Sequence, residues 1–178
     1  MRDPGRRGFS IIEGMVAMAV MLIGVAGLIG LQTMGVRMNG DARRMTRATA
    51  IAQDLLNQIE LWPYTDVRLS NANTANDADL GDSAFAFEGT GTPPADHAEG
   101  DLTLGGTQWL GIQTLPPGYQ RYWNVSNKDP ASAAALLDAN GNGVEDALRV
   151  AVVVRWQHQG GWRRVVLTGL KRNPSEVQ

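Results

Sequence analysis

The sequence predicts an α+β protein in which a long N-terminal helix packs on a small antiparallel β-sheet. Three observations predict it. Residues 14–36 carry no charge, no proline interrupts residues 9–62, and near the C-terminus two β-type apolar runs are joined across Gln157, His158, Gln159, Gly160 and Gly161. The 178 residues are 43% hydrophobic and 19% charged, with a net charge of −2. That balance excludes a collagen, a disordered tail and a multi-span membrane protein, and gives no reason to expect nucleic acid as a partner.

The uncharged stretch from Gly14 to Val36 would make a helix of about 35 Å at ~1.5 Å per residue, enough for one crossing of a ~30 Å hydrocarbon core. No second apolar run approaches that length, so the part beyond Arg37 is expected to be a soluble body on an N-terminal anchor. Seven arginines face three acids up to Arg47. Arg2, Arg6 and Arg7 favour a cytoplasmic N-terminus and a C-terminal body across the membrane. The arginines from Arg37 to Arg47 oppose that bias from the far side, but the leader is shorter and closer to the span.

Helical periodicity continues past the span. Met34, Met38, Met45, Ala48, Ala52, Leu55, Ile59 and Trp62 recur at three, four or seven residues and form one apolar stripe. Pro63 ends the helix, because it lacks an N–H and its ring clashes with the preceding turn. Cysteine is absent, which excludes disulfides, a thiol nucleophile and thiolate metal sites.

Residues 64–118 are rich in Asn, Asp, Gly, Thr and Pro and read as loops, with short strands near Leu102–Leu104 and Trp109–Gln113. Strands are expected at Tyr119–Val125, Leu148–Trp156 and Trp162–Leu170, the last two joined as a hairpin. Val150, Val152, Val154 and Trp156 then share one face, Val165 and Leu167 meet it from the next strand, and the striped half of the helix covers it.

At the start of the span the chain reads R-R-G-F-S-I-I-E-G-M-V-A-M-A-V. Glu13 stands out, since a carboxylate at the centre of a membrane helix costs about 2.5 to 3.5 kcal/mol on insertion scales and less near the interface. The residues Gly8, Phe9, Ser10, Ile11, Ile12 and Glu13 resemble the type III signal of type IV prepilins and pseudopilins. The resemblance implies cleavage between Gly8 and Phe9 by a prepilin peptidase, N-methylation of Phe9, and a pilin-like fold. It further implies that Glu13 attracts the Phe9 amine of a neighbouring subunit and sets register in a filament. The runs A-V-M-L-I-G-V-A-G-L-I-G-L-Q and A-R-R-M-T-R-A-T-A-I-A-Q-D-L-L-N-Q-I-E, with the closing G-G-W-R-R-V-V-L-T, are similar to the PilV-type minor pilins. Major pilins of that family usually carry a proline in the membrane helix and a C-terminal cysteine pair; this sequence has neither.

The organisation expected is therefore a cleaved leader at 1–8, a helix at 9–62 that spans the bacterial inner membrane over about 14–36, and a periplasmic β-rich domain at 63–178. The implied partners are the prepilin peptidase, other minor pilins and the major pilin, the inner-membrane assembly platform and membrane lipid. The function expected is that of a minor pilin that starts or caps type IV pilus assembly. A type II secretion pseudopilin carries the same signal, and a single-span periplasmic binding module or adhesin is the alternative of a different class. Arg6, Arg7 and Phe9 also fit a twin-arginine export signal, but the apolar run is long, contains Glu13, and lacks an A-x-A site.

Asp138, Asn140, Asn142, Gly143 and Asp146 follow the spacing of oxygen-rich Ca²⁺ loops, although Arg149 stands where an EF-hand has its bidentate glutamate. A plain Asn-Gly turn before the hairpin is the other reading, and no cofactor is required. No catalytic residue is expected: His97 and His158 read as solvated loop and turn residues, and no nucleophile elbow or triad pattern is present.

Overall fold

A computed structural model describes residues 10–82, 85–106, 112, 114–130, 132–138 and 141–175. Helix α1 spans Ile11–Leu61 without a break. Trp62 N–H still donates to the Ile59 carbonyl, and Pro63 then stops the ladder. The chain divides into two compact units, Met1–Arg43 and Arg44–Gln178. The last turns of α1 therefore belong to the second unit.

Among the described residues six strands follow: β1 (His97–Ala98), β2 (Tyr119–Ser126), β3 (Lys128–Asp129), β4 (Ser132–Leu136), β5 (Ala147–His158) and β6 (Gly161–Arg172). Four of them form an antiparallel sheet in the order β1-β2-β5-β6, and β3 pairs with β4. In β5 the expected face is realised: Val152 lies opposite Trp123 on one side and Leu167 on the other, and Val154 opposite Arg121 and Val165. The β5–β6 turn has positive φ at both Gln159 (49°) and Gly160 (81°). That is the type I′ geometry, whose twist matches a two-residue hairpin.

The core of the second unit lies between α1 and this sheet. Ala48, Ile51, Ala52, Leu55, Ile59 and Trp62 pack with Trp123, Val125, Val150, Val152, Val154 and Trp156. Each fully buried aliphatic or aromatic side chain contributes about 1.5–3 kcal/mol, so this one helical face fixes the sheet to the helix. Ile51 joins the stripe, while Met34, Met38 and Met45 are exposed.

The opposite face of the sheet is covered as well. Ala151, Val153 and Arg155 are as buried as the core-facing valines, and the cover is the irregular stretch read from sequence as loop. Phe87 is buried there with its ring edge-on to Tyr122 at 5.6 Å. Arg155 donates to the carbonyls of Phe87 and Gly89, and its guanidinium stacks 4.2 Å from the Trp162 ring. The strand expected at Leu102–Leu104 is instead part of a 3₁₀ helix, Glu99–Gly106. Local bonds explain the difference: Asp101 Oδ2 accepts the Ala98 N–H at 2.8 Å, and the Thr103 hydroxyl donates to the Gly100 carbonyl at 3.0 Å. The strand expected at Trp109–Gln113 falls largely outside the described residues.

Candidate functional site

The first described residues are the beginning of α1. The Ser10 carbonyl accepts the Gly14 N–H at 3.1 Å, which makes Ser10 the residue before the helix and places Glu13 in its first turn. An acidic side chain there is favoured by about 0.3–1 kcal/mol through the helix dipole. Glu13 is exposed and has no hydrogen-bond or ion-pair partner among the described residues. Gly8 and Phe9 lie outside the described residues.

From Ile11 to Val36 the helix presents large apolar side chains on every side. Ile11 is 85% exposed, Ile23 74% and Val36 75%. The segment is long and apolar enough to cross a membrane, and its most apolar stretch buries nothing within the protein. Beyond the first turn its backbone polar groups pair within the helix, as a lipid environment demands. Chemically this is an anchor and a packing surface that carries one unpaired carboxylate at its N-terminal end.

Ion pairs that no local pattern of residues announces help to hold the second unit. Arg68 donates from Nε and Nη2 to both oxygens of Asp66, lies 4.2 Å from the Trp62 ring, and its carbonyl accepts Trp123 Nε1–H at 2.8 Å. The Arg68 hydrogen bonds hold the Asp66 carboxyl below its ordinary pKa against some burial. Arg121 grips Glu99 through Nε and Nη2, both at 2.9 Å. Asp96 accepts the backbone N–H groups of Asn73 and Val125, tying the covering stretch to β2. Burial raises its pKa despite those bonds. Lys171 donates to the carbonyls of Ile59 and Glu60, capping the C-terminal end of α1 from the last strand, and its own burial lowers its pKa.

His97 is not the solvated loop residue the sequence suggested. It is buried in β1, stacked 5.2 Å from the Trp123 ring, with Nε2 at 2.7 Å from the Ser70 carbonyl. The two-residue pairing of β1 with β2 carries it inward, a long-range event that local composition does not report. His158 is at the hairpin turn as expected, and Arg44 Nη1 approaches its Nδ1 at 3.1 Å.

In the Asp138 loop the carboxylate folds onto its own backbone. Its oxygens accept the N–H groups of Gly141, Asn142 and Gly143, while Asn142 Oδ1 accepts from Val144. Gly141 and Gly143 have positive φ, which a turn of this kind requires. Asp146 lies at the base, its N–H donating to the Leu137 carbonyl. Asn140 lies outside the described residues. No group of three His, Cys, Asp or Glu side chains comes together among the described residues.

Comparison with curated proteins and with solved structures finds no match. The family described as the prokaryotic N-terminal methylation motif matches residues 3–29, the stretch that contains Gly8, Phe9, Glu13 and the first half of the apolar segment. The chain thus carries the N-terminal signal of type IV pilins and pseudopilins, one that a prepilin peptidase processes.

Proposed function

We propose that this protein is a minor pilin, of the PilV type, that helps to start or cap a type IV pilus. The observation that carries the reading is the methylation motif at residues 3–29 overlapping an apolar stretch of α1 that packs against none of the described residues. Before processing the chain is anchored in the bacterial inner membrane, with residues 1–8 on the cytoplasmic side and residues 63–178 in the periplasm. Cleavage between Gly8 and Phe9 gives a cationic amine one helical turn from Glu13. In a low-dielectric filament core the Glu13 carboxylate pairs with the Phe9 amine of a neighbouring subunit, which selects register more than it adds net stability. The partners are then the peptidase, the major pilin, other minor pilins and the assembly platform. The role is structural rather than catalytic.

The same signal supports a second reading, a minor pseudopilin of a type II secretion system. Deleting the gene and assaying surface piliation and protein secretion in parallel separates the two: loss of pili with normal secretion supports the first, and the reverse outcome supports the second. N-terminal sequencing of the mature protein is expected to begin at Phe9. A chain that retains Met1, or that starts beyond Val36, overturns both readings.

A further inference from the structure

Strand β6 is the last strand of its sheet, so one edge of its backbone faces away from β5. Which groups face out follows from the hairpin. In a two-residue type I′ hairpin the residues flanking the loop form a hydrogen-bonded pair, and such pairs alternate along the ladder. The register runs unbroken from His158↔Gly161 to Ala147↔Arg172. Residues 163, 165, 167, 169 and 171 therefore turn their N–H and C=O groups to β5, and Val166, Thr168 and Leu170 turn theirs outward. Among the described residues these three make no backbone hydrogen bond on the outer edge.

The free stretch lies beside a cleft of about 500 Å³. One wall is Ala78–Gly81, the other Thr168–Leu170, and Arg149 lines it from β5. Leu170 is 49% exposed although it sits in the sheet. Arg149 Nη2 donates to the Asp77 carbonyl at 2.6 Å, and its Nε has no partner among the described residues. Toward the hairpin turn the covering stretch closes over β6, since Ala86–Glu88 packs on the strand and Arg164 holds Asp82 at 2.7 Å. Only the part from Val166 to Arg172 is open.

Charge decides what fits. A second copy of this edge is a poor match, because β6 carries Arg163, Arg164, Lys171 and Arg172 and no carboxylate, so it brings charge of the same sign. Like charges directly opposite each other are destabilising. Arg172 is exposed in the open part and Arg149 lines the cleft; against the one carboxylate of the lining, Asp79, the two arginines favour acidic residues on an incoming strand. We propose that the open edge of β6 receives an extended, carboxylate-bearing segment of another protein, which pairs as a fifth strand and lays its side chains in the cleft beside Arg149. Main-chain bonds hold the segment, and the arginines choose its charge.

The test uses the full chain in neutral detergent micelles and acetylated, amidated hexapeptides of alternating valine and threonine that bear two glutamates, two glutamines or two lysines. The glutamate peptide is expected to slow amide hydrogen exchange at Val166, Thr168 and Leu170 and to bind about tenfold or more tighter than the lysine peptide. Thr168→Pro removes one outward N–H without touching the β5 ladder and is expected to abolish that protection. Should this variant fold poorly, Arg172→Glu, at an exposed position, is expected to abolish the preference for the glutamate peptide. Equal binding of all three peptides, no protection at the three amides, or protection that rises with protein concentration alone overturns the proposal.

Discussion

At Arg68 a single residue joins four parts of the second unit: its side chain meets Asp66 in its own turn, the Trp62 ring at the end of α1 and the Leu102 carbonyl, and its own carbonyl accepts from Trp123 in β2. Removing one partner of a buried pair leaves the other charge uncompensated, so Arg68→Ala is expected to cost about 3–5 kcal/mol, read from urea unfolding followed by tryptophan fluorescence. The pH dependence has two opposed contributors. Asp66 is lowered by its hydrogen bonds to Arg68, so its contribution is present above the ordinary carboxylate range and is lost as pH falls through its folded value. Asp96 is raised by burial, so its contribution is largest below the ordinary range and is lost as pH rises through its folded value. Asp96→Asn removes the second contributor, and the acid-unfolding midpoint is expected to move to higher pH in a circular-dichroism titration.

Among the elements, the β5–β6 hairpin was legible as two strands and a turn from its alternating valines and its glycines. The structure carries both strands further, to His158 and from Gly161, and tightens the connection read over 157–161 to Gln159 and Gly160. Gln159 holds φ at 49°, a left-handed conformation that costs a residue with a Cβ about 1–2 kcal/mol. Asparagine tolerates it better, and Gln159→Asn is expected to raise stability by about 0.5–1 kcal/mol, measured as a shift in thermal midpoint. Gly169 sits where β6 passes under α1, and a Cβ built there would lie 3.2 Å from Leu56 Cδ2. Gly169→Val is expected to cost about 1–3 kcal/mol by overpacking, and Leu56→Ala in the same chain should relieve part of it. The stretch from Asn73 to Glu99 was not legible in this way. Its Asn, Asp and Gly content reads as loop, and in backbone terms it is, but Asn76, Asp77, Asp82 and Asp96 are buried. Their side chains bond within the cover itself: Asp82 accepts the N–H groups of Ala86 and Phe87, Asp96 that of Asn73, Asp77 accepts from the Asn71 amide, and Asn76 donates to the Pro94 carbonyl. Polarity that signals solvent in most loops here serves a packed layer.

At the scale of the whole molecule, the core cluster draws only on residues from Ala48 onward, and the contact division falls between Arg43 and Arg44. A chain that starts at Arg44 is therefore expected to fold cooperatively without detergent, with a β-rich far-UV spectrum. Residues 11–36 behave in the opposite way. Their side chains are exposed throughout, so their stable environment must come from lipid or from other helices. In the filament reading, Glu13→Ala and Glu13→Gln are expected to insert normally yet enter sheared pili at a much reduced level, and normal incorporation of both variants would count against that role for the carboxylate.

The long helix, its exit at Pro63, the hairpin with its buried valine face and the N-terminal signal can be read from the order of residues alone. Each depends on near neighbours: an unbroken run without proline, a period of two, a spacing of a few residues around Gly8 and Glu13. The cover on both faces of the sheet, the burial of His97 against Trp123, the ion pairs of Arg68 and Arg121 and the open stretch of β6 emerge in the folded chain and nowhere earlier. Those features arise where segments far apart in the chain meet, and the free energy of such meetings lies in contacts that no local pattern of residues records.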